Sequence, residues 1–340
     1  MPRDIETLDT ASLGRYLEQH VPGFHGDVDA EKFAHGQSNP TYLLTAASGQ
    51  YVLRRKPPGK LLKSAHAVDR EFRVIAALAD TDVPVPRAIH LCEDDDVIGS
   101  MFYVMSFVSG RIFQDPALPE LDTADRGAIH DELVRVLAAL HDVDVAAAGL
   151  GDFGHPGNYF ERQTGRWTKQ YRAAETARID AVEALIDWLP ANVPPDDGAV
   201  GLIHGDYRID NVIFHDSEPR AVAVLDWELS TLGHPMADLA YYCMCLRLPR
   251  DAGVNGLAGL DLAALGIPDE PAVIARYCTL RDIDGIDHWP FYLAFSFFRL
   301  ASICQGVYKR ALDGNASNAR AEQMGRTVEP LAAAGVAMIT

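Results

Sequence analysis

Three side chains that carry oxygen atoms stand out, Asp206, Asn211 and Asp226, because they follow short apolar runs of the sequence. Asp206 lies in the segment His-Gly-Asp-Tyr-Arg-Ile-Asp-Asn, residues 204–211, which ends at Asn211. Asp226 follows a second apolar run, residues 222–225. If each run is a strand that ends in a loop, the two carboxylates and the amide oxygen converge, and oxygen ligands of this kind suit Mg²⁺. Phosphoryl transfer requires such a site, because charge on the transferring group must be neutralised and the acceptor hydroxyl oriented.

A metal-dependent hydrolase is a different interpretation of the same region. It would use His204, Asp206, His215 and Asp226 as ligands of a transition metal. His215 argues against it, because the Asp and Ser that follow this histidine are typical of a surface turn. Taken singly, any of these aspartates could equally be a turn or capping residue. The phosphoryl-transfer interpretation therefore depends on the whole pattern.

The first third of the chain has the pattern of a small sheet with helices. The apolar runs 41–45 and 51–54 predict two strands joined by a turn at Ser48-Gly49, and 89–92 and 101–108 predict two more. Apolar residues at helical spacing predict helices over residues 9–20 and 65–79. These elements predict a β-rich first domain over residues 1–108.

The remainder of the chain, residues 109–340, has a mainly helical pattern. Helices are predicted over residues 126–143, 167–188, 236–247, 271–279 and 289–312. Short strands are predicted at 200–203, 212–214 and 221–225, and a loop or short helix at 249–266. We therefore predict an α+β fold with two lobes, a small antiparallel sheet followed by a mainly helical domain. A cleft between two domains is the usual position of a ligand site.

Charge and composition narrow the classes of partner. The formal charge is −18, divided as −4 over residues 1–108 and −14 over 109–340. Such a chain should repel nucleic acid and anionic lipid, while the acidic second part could favour a cationic substrate or serve solubility alone. No apolar run could span a bilayer, and the polar N-terminus does not read as a signal peptide, so we expect a cytoplasmic protein. The five scattered cysteines predict buried, reduced thiols.

The segment 204–211 resembles the catalytic loop of the aminoglycoside phosphotransferases, which are relatives of the protein kinases. Val-Leu-Asp-Trp-Glu, residues 224–228, is similar to the metal-binding Asp-Phe-Gly segment of the kinases. The resemblance implies that Asp206 is the catalytic base and that Asn211 and Asp226 hold Mg²⁺. It also implies that Arg208 could steady the transferring phosphoryl group, and that His204 orients the loop rather than shuttling protons.

The first domain carries further parts of the same resemblance. His35-Gly-Gln-Ser-Asn resembles the phosphate loop of this family, which makes Ser38 and Asn39 candidates for contact with the phosphates. The strand Tyr-Val-Leu-Arg ends at Arg54, where the family has a lysine that contacts phosphate, and Glu71 on the next helix matches the partner of that lysine. The choice of cation among residues 54–56 stays open at this point. Arginine can bind either carboxylate or phosphate with two N–H groups.

The resemblance to this family extends to a hinge strand and to a residue that braces the catalytic loop. Residues 102–110 resemble the hinge strand, so backbone groups near Ser106 and Val108 would bind adenine, with Met105 at the back of the pocket. Asp238 resembles a family residue that braces the catalytic loop. Three residues of the predicted helix 289–312 are candidates for the substrate side, although packing explains most of that helix: Arg299, Gln305 and Tyr308.

Within the family, the chain is most similar to phosphotransferase domains found alone in bacteria or fused to acyl-CoA dehydrogenases. Segments that carry this similarity include residues 35–42, 52–59, 64–72 and 91–94. The resemblance implies an ATP- and Mg²⁺-dependent kinase that phosphorylates a hydroxyl of a small molecule, such as a hydroxyacyl-CoA. Two alternatives stay open: an aminoglycoside O-phosphotransferase, and a nucleotide-binding pseudokinase or interaction module. The choice between ATP and GTP and the oligomeric state also stay open.

Overall fold

In a computed structural model, the chain forms two compact units. The structure describes residues 8–33, 39–57, 67–155, 157–250, 255–313 and 321–340. The first unit comprises Met1–Arg111 and Val212–Ser230, and the second comprises Ile112–Asn211 and Thr231–Thr340. Both units contain segments that are distant in the sequence, because the chain returns to the first unit after residue 211.

The first unit is built on an antiparallel five-stranded sheet in the order β1-β2-β3-β5-β4. Its elements are α1 (Thr10–His20), β1 (Asp29–Lys32), β2 (Thr41–Ala46), β3 (Gly49–Arg55), α2 (Val68–Ala77), β4 (Ala88–Cys92) and β5 (Phe102–Ser106). The predicted strands and helices of this region are confirmed, and the side chain of Asp9 caps α1 by accepting the N–H of Ser12. The sequence interpretation missed β1, because its side chains are mostly exposed and polar.

A strand pair from later in the chain also belongs to the first unit. β6 (Arg111–Ile112), β8 (Val212–Phe214) and β9 (Ala221–Val224) form a sheet in the order β6-β8-β9. The N–H of Val224 donates to Pro84 O at 2.8 Å, and a Cβ added at Gly110 would lie 2.3 Å from Phe214 O. This close packing attaches the pair to the first unit, whereas the sequence-based division at 108/109 assigned it to the second domain.

The second unit is mainly helical. Its elements are α3 (Thr123–His141), α4 (Tyr159–Ala174), α5 (Asp180–Ala191), β7 (Gly201–Ile203), β10 (Thr231–Gly233), α6 (Met236–Leu246), α7 (Leu262–Leu265), α8 (Glu270–Arg281), α9 (Trp289–Leu312) and α10 (Ala321–Val336). β7 pairs with β10 in antiparallel register. Helix α9 supplies much of the core, since most of its residues from Phe291 to Gln305 are buried. The predicted α+β fold class is thus confirmed.

One helix prediction in the second unit was wrong, and one helix of this unit was not predicted. The single helix expected over residues 167–188 is two helices, α4 and α5, separated by a break that begins at Glu175 in extended conformation. Gln305 stabilises the break, because its side-chain amide donates to Ala174 O at 2.7 Å and to Thr176 Oγ1 at 3.0 Å. Helix α10 was missed, since its sequence contains Gly325 and Pro330, yet it packs against α9 and α5.

Burial agrees with the expectation for the cysteines. All five cysteines lie in described segments, where each is buried and none forms a disulfide. Among the helices that the structure describes, none combines the length and apolar character needed to cross a membrane.

Candidate active site

The loop of residues 204–211 lies in the second unit and begins where β7 ends. His204 is fully buried, and its Nδ1 accepts the N–H of Asp206 at 3.2 Å. Gly205 has a φ of 85°, a backbone conformation that a residue with a Cβ adopts only at a cost. A 3₁₀ turn, Ile209–Asn211, closes the loop. The sequence His-Gly-Asp therefore folds into a sharp turn that presents Asp206, with His204 in the orienting role predicted for it.

Asp238 fixes this turn from the first turn of α6. Its Oδ1 accepts the N–H of Gly205 at 2.8 Å and its Oδ2 accepts the N–H of His204 at 2.5 Å. Burial would raise the pKa of Asp238, but the His141 ring, whose Nε2 lies 3.6 Å from Oδ2, and the N–H of Gly205 hold it below its usual value. The predicted bracing role is thus confirmed by a buried, charged carboxylate that accepts two backbone N–H groups.

The carboxylate of Asp206 is held by three side chains of the second unit. Tyr241 donates its O–H to Oδ1 at 2.6 Å, and Arg208 Nε lies 3.3 Å from the same oxygen. Asn211 Nδ2 donates to the backbone oxygen of Asp206 at 2.8 Å and lies 3.4 Å from Oδ2. Tyr241 was not predicted. Its spacing of three residues from Asp238 on one helix was the available signal, since residues so spaced share a helix face.

Arg208 is held between acidic side chains. Besides Asp206, it pairs with Asp210, whose Oδ2 lies 3.0 Å from Nη2. Burial would lower the pKa of Arg208, but the charges of Asp206 and Asp210 raise it above its usual value. The guanidinium is therefore a fixed positive charge beside the Asp206 carboxylate.

A cleft of about 1180 Å³ opens beside this loop, wholly within the second unit. Arg208 and Asp210 line it from the loop, and apolar side chains such as Phe297, Met324 and Leu331 line it from α9 and α10. One end of the cleft therefore carries charged groups of the loop, and another part is apolar.

Cations outnumber anions among the other charged side chains of this cleft. Arg247 pairs with Glu270, and Arg250 pairs with Asp115. Arg326 is exposed and has no acidic partner among the described residues. Among the described residues of this lining, Arg326 is therefore the arginine whose charge no carboxylate offsets.

In the first unit, Arg54 on β3 binds three carboxylates. Its Nε lies 3.0 Å from Glu71, and its Nη2 lies 2.6 Å from Asp226 and 3.5 Å from Glu228. Burial raises the pKa of Glu71 above its usual value; Arg54 opposes this shift, whereas Asp226 and Glu228 add to it. Burial alone would lower the pKa of Arg54, but the surrounding carboxylates raise it. One guanidinium is thus shared by three acidic groups, of which Glu228 was not predicted.

The backbone of Asp226 is also unusual. Its φ of 66° and ψ of 57° place it in the left-handed region, immediately before the 3₁₀ turn Trp227–Leu229. Aspartate tolerates this conformation better than most residues, and such conformations cluster at functional sites. Trp227 secures the turn, since it is buried and its indole N–H donates to Val224 O at 3.0 Å.

The structure identifies which of the neighbouring cations pairs with Glu71. Side chains alternate along β3, so Arg55 points to the opposite face, where it is buried. Lys56 lies 3.7 Å from Asp69. The ion pair with Glu71 therefore belongs to Arg54, and the question left open by the sequence is answered for this contact.

Of the two candidates for phosphate contact, Ser38 and Asn39, the structure describes Asn39. Ser38 lies outside the described residues. Asn39 is buried, and its side-chain amide acts to lower the pKa of Glu71. Asn39 therefore supports the Arg54–Glu71 pair.

The hinge candidates lie at the end of β5. Met105 is buried in the sheet. The N–H of Ser106 donates to Arg87 O at 2.9 Å, and Ser106 Oγ accepts the N–H of Arg87 at the same distance. Val108 donates its N–H to no acceptor among the described residues. Of these groups, Val108 N–H is the better candidate to bind a nucleobase.

His215 lies in a tight turn, as its sequence suggested. Its Nδ1 accepts the N–H groups of Ser217 and Glu218, each at 3.3 Å. Across the described parts of the chain, no group of three or more histidine, cysteine or acidic side chains is arranged to hold a metal ion. The geometry of these residues does not favour the hydrolase interpretation.

Comparison with solved structures identifies the class of fold. Aminoglycoside phosphotransferase APH(4)-Ia, in complex with ADP and hygromycin B, matches 96% of the chain and 98% of its own with a TM-score of 0.63 at 15% identity. Choline kinase from Cryptosporidium parvum matches 97% of the chain and 95% of its own with a TM-score of 0.65 at 12% identity. The fold is therefore that of the protein-kinase-like phosphotransferases.

The family follows from closer matches. The chain belongs to the APH family, the phosphotransferase enzyme family, whose model matches residues 29–277. A provisionally assigned aminoglycoside phosphotransferase from Ralstonia eutropha JMP134 is 50% identical, with a TM-score of 0.90 over 98% of both chains.

Curated relatives connect the chain to larger proteins. It is 50% identical to acyl-CoA dehydrogenase family member 10 of Mus musculus and 43% identical to family member 11 of Homo sapiens, in each case over 97% of the chain. These matches cover only 31% and 43% of the two relatives. The chain thus spans less than half the length of these curated relatives.

Proposed function

We propose that the protein is a small-molecule kinase that transfers the γ-phosphoryl group of ATP to an alcohol, with Asp206 as the base. The observation that carries this proposal is the catalytic loop, in which Asp206 is presented by a braced turn and held by Asn211, Arg208 and Tyr241. A carboxylate placed in this way can accept the proton of a hydroxyl and orient it.

The residues available for Mg²⁺ fit that ion. We propose Asn211 and Asp226 as ligands, since both offer the oxygen atoms that Mg²⁺ prefers. The three carboxylates around Arg54 exceed its single positive charge, so a further cation would be favourable there. When bound, Mg²⁺ would neutralise charge on the phosphates.

The proposed reaction assigns a task to each residue of the loop. The acceptor hydroxyl donates to Asp206, its oxygen bonds to the γ-phosphorus, and the bond from that phosphorus to the bridging oxygen of ADP breaks. The proton passes to the Asp206 carboxylate, and ADP leaves with the electron pair. Arg208 is the candidate for steadying the transferring group, because its charge is fixed beside Asp206.

We propose that the first unit binds the nucleotide. Ser38 and Asn39 would approach the phosphates, and Arg54, paired with Glu71, would contact them. Met105, Ser106 and Val108 would form the adenine pocket, with the N–H of Val108 as donor. The structural neighbour APH(4)-Ia was solved in complex with ADP, and this supports ATP as the nucleotide.

For the acceptor we propose a hydroxyacyl-CoA or a similar anionic acyl compound. The relatives are named acyl-CoA dehydrogenases, which points to acyl-CoA chemistry. The cleft beside Arg208 combines an apolar wall with the exposed guanidinium of Arg326, which suits an acyl chain joined to phosphates. An aminoglycoside is the second candidate, since the relative from Ralstonia eutropha is provisionally assigned to that class.

The test is phosphoryl transfer from radiolabelled ATP to hydroxyacyl-CoAs of several chain lengths and to a panel of aminoglycosides, with Mg²⁺ present and then removed by a chelator. We expect label to enter the hydroxyacyl-CoAs and the chelator to abolish transfer. Turnover of aminoglycosides alone would reject the proposed acceptor while keeping the kinase.

Asp206→Ala distinguishes a kinase from a nucleotide-binding pseudokinase. We expect this variant to bind MgATP with unchanged affinity and to lose at least about 100-fold in kcat, the usual range for a positioned base. A pseudokinase would show no Asp206-dependent transfer to any acceptor of the panel, while still binding MgATP.

A further inference from the structure

We propose that Tyr241 is a positioning residue for this reaction: it fixes the Asp206 carboxylate so that Oδ2 is the oxygen that receives the acceptor proton. The inference rests on the proposed function, because it takes Asp206 as the base. It adds a residue on α6 to the groups that determine the rate of transfer.

The two oxygens of the Asp206 carboxylate have different surroundings. Oδ1 accepts the Tyr241 O–H at 2.6 Å and lies 3.3 Å from Arg208 Nε. Among the described residues, Oδ2 has one long contact, 3.4 Å to Asn211 Nδ2. The Tyr241 hydroxyl donates to Oδ1 and the positive charge of Arg208 lies beside that oxygen, so Oδ2 retains the greater capacity to accept a proton.

Tyr241 is itself held in place. The side chain is buried on α6, and the Arg299 guanidinium lies over its ring with Cζ 5.1 Å from the centroid. Arg299 also donates to Gly205 O, within the same turn that presents Asp206. One arginine thus joins the tyrosine ring to the turn, so the hydroxyl and the carboxylate keep their relative positions.

Burial favours the phenol as a donor. It raises the pKa of Tyr241 well above its usual value, with the charge of Asp206 acting in the same direction. The hydroxyl therefore keeps its proton, and a buried O–H without an acceptor would be unfavourable. The contact with Oδ1 satisfies this donor and limits rotation of the carboxylate.

The experiment compares Tyr241→Phe with Tyr16→Phe. Both remove one tyrosine hydroxyl that contacts another side chain, but the Tyr16 hydroxyl lies 3.0 Å from His90 Nε2 instead of contacting Asp206. We expect Tyr241→Phe to lower kcat by about tenfold to 100-fold, because a misplaced catalytic group costs about this much. The KM for ATP should stay unchanged, and Tyr16→Phe should leave kcat within about twofold, since it touches no reacting group.

A double variant separates positioning from a general structural effect. In the Asp206→Asn background, whose residual transfer is measured over long incubations, adding Tyr241→Phe should cause no further loss, because both changes affect one group. An equal loss in both backgrounds would mean that Tyr241 is merely structural, and an unchanged kcat in Tyr241→Phe alone would overturn the proposal. If Asp206→Asn retained full activity, the proposed function itself would fail.

Discussion

At the scale of single residues, Arg54 of the first unit pairs with three acidic side chains. The planar guanidinium reaches Glu71 through Nε and both Asp226 and Glu228 through Nη2. A lysine at this position has one compact ammonium group and cannot reproduce a fork of this kind. Arginine at residue 54 therefore connects α2 to the segment that follows β9.

Arg54→Lys tests whether the fork itself is needed. We expect kcat/KM for ATP to fall by about tenfold to 100-fold, because hydrogen bonds to charged groups contribute about 1.5–3 kcal/mol. Steady-state kinetics with varied ATP measures this effect. Lys56→Gln is the control, because the ammonium group of Lys56 lies as far as 3.7 Å from the half-buried Asp69 and a loose pair of this kind contributes little. Equal kinetics for Arg54→Lys and wild type would contradict the prediction.

At the scale of elements, helix α6 holds the catalytic loop through one face. Asp238 accepts two N–H groups of the loop, and Tyr241 donates to the carboxylate that the loop presents. These two side chains lie one turn apart on the helix. A rigid helix in this position explains how a loop with only short strands beside it can present Asp206 in a fixed orientation.

Asp238→Asn removes one of the two acceptor oxygens while keeping the volume. An amide N–H₂ would then face the N–H of His204 or Gly205, so we expect a loss of about 1–3 kcal/mol in the free energy of unfolding. Urea denaturation measures this change, and kcat should fall with it because the turn loosens.

Asp131→Asn is the matched control for that change. Asp131 pairs with Arg276 at an exposed position, so the expected cost is at most about 1 kcal/mol. If both substitutions cost the same, the bracing role of Asp238 would have to be abandoned.

At the scale of the whole molecule, the stability of the fold at acidic pH depends on a histidine that is buried in its neutral form. His130 on α3 is fully buried, where its ring contacts the Tyr242 hydroxyl and Pro116 O. Burial lowers its pKa to about 4, although the hydrogen bond with Pro116 opposes this shift. The histidine is therefore neutral in the folded state at neutral pH.

The folded protein should lose stability as the pH falls from about 6.5 to 4. In this window the unfolded chain binds a proton at His130 and the folded chain does not, so unfolding becomes more favourable by about 3 kcal/mol. Below this window the effect is constant. Chemical denaturation at a series of pH values measures it.

His130→Gln provides the comparison because glutamine does not titrate. The stability advantage of wild type over this variant should shrink as the pH falls through the window. An advantage for wild type over His130→Gln that stayed constant would show that His130 does not titrate as expected.

The sequence by itself determined the fold class, most elements of both units and the loop that presents Asp206. These features depend on local patterns: alternation in β2 and β3, helical spacing in α1 and α3, and the short segment 204–211. Hydrophobic periodicity and turn residues act over a few positions, so they can be interpreted without tertiary contacts. The break between α4 and α5 was not predictable in this way, because Gln305, distant in sequence, stabilises it.

Apart from Glu71, which the resemblance already indicated for Arg54, only the tertiary structure decided the partners of the site residues. Tyr241 is 35 positions from Asp206, and Arg54 is 172 positions from Asp226. Beyond the helical spacing of Tyr241 and Asp238, the local sequence indicates neither pair, because such contacts depend on how helices and strands pack rather than on propensity. The same reason applies to the hairpin of β8 and β9, whose place in the first unit depends on contacts of Pro84 and Gly110.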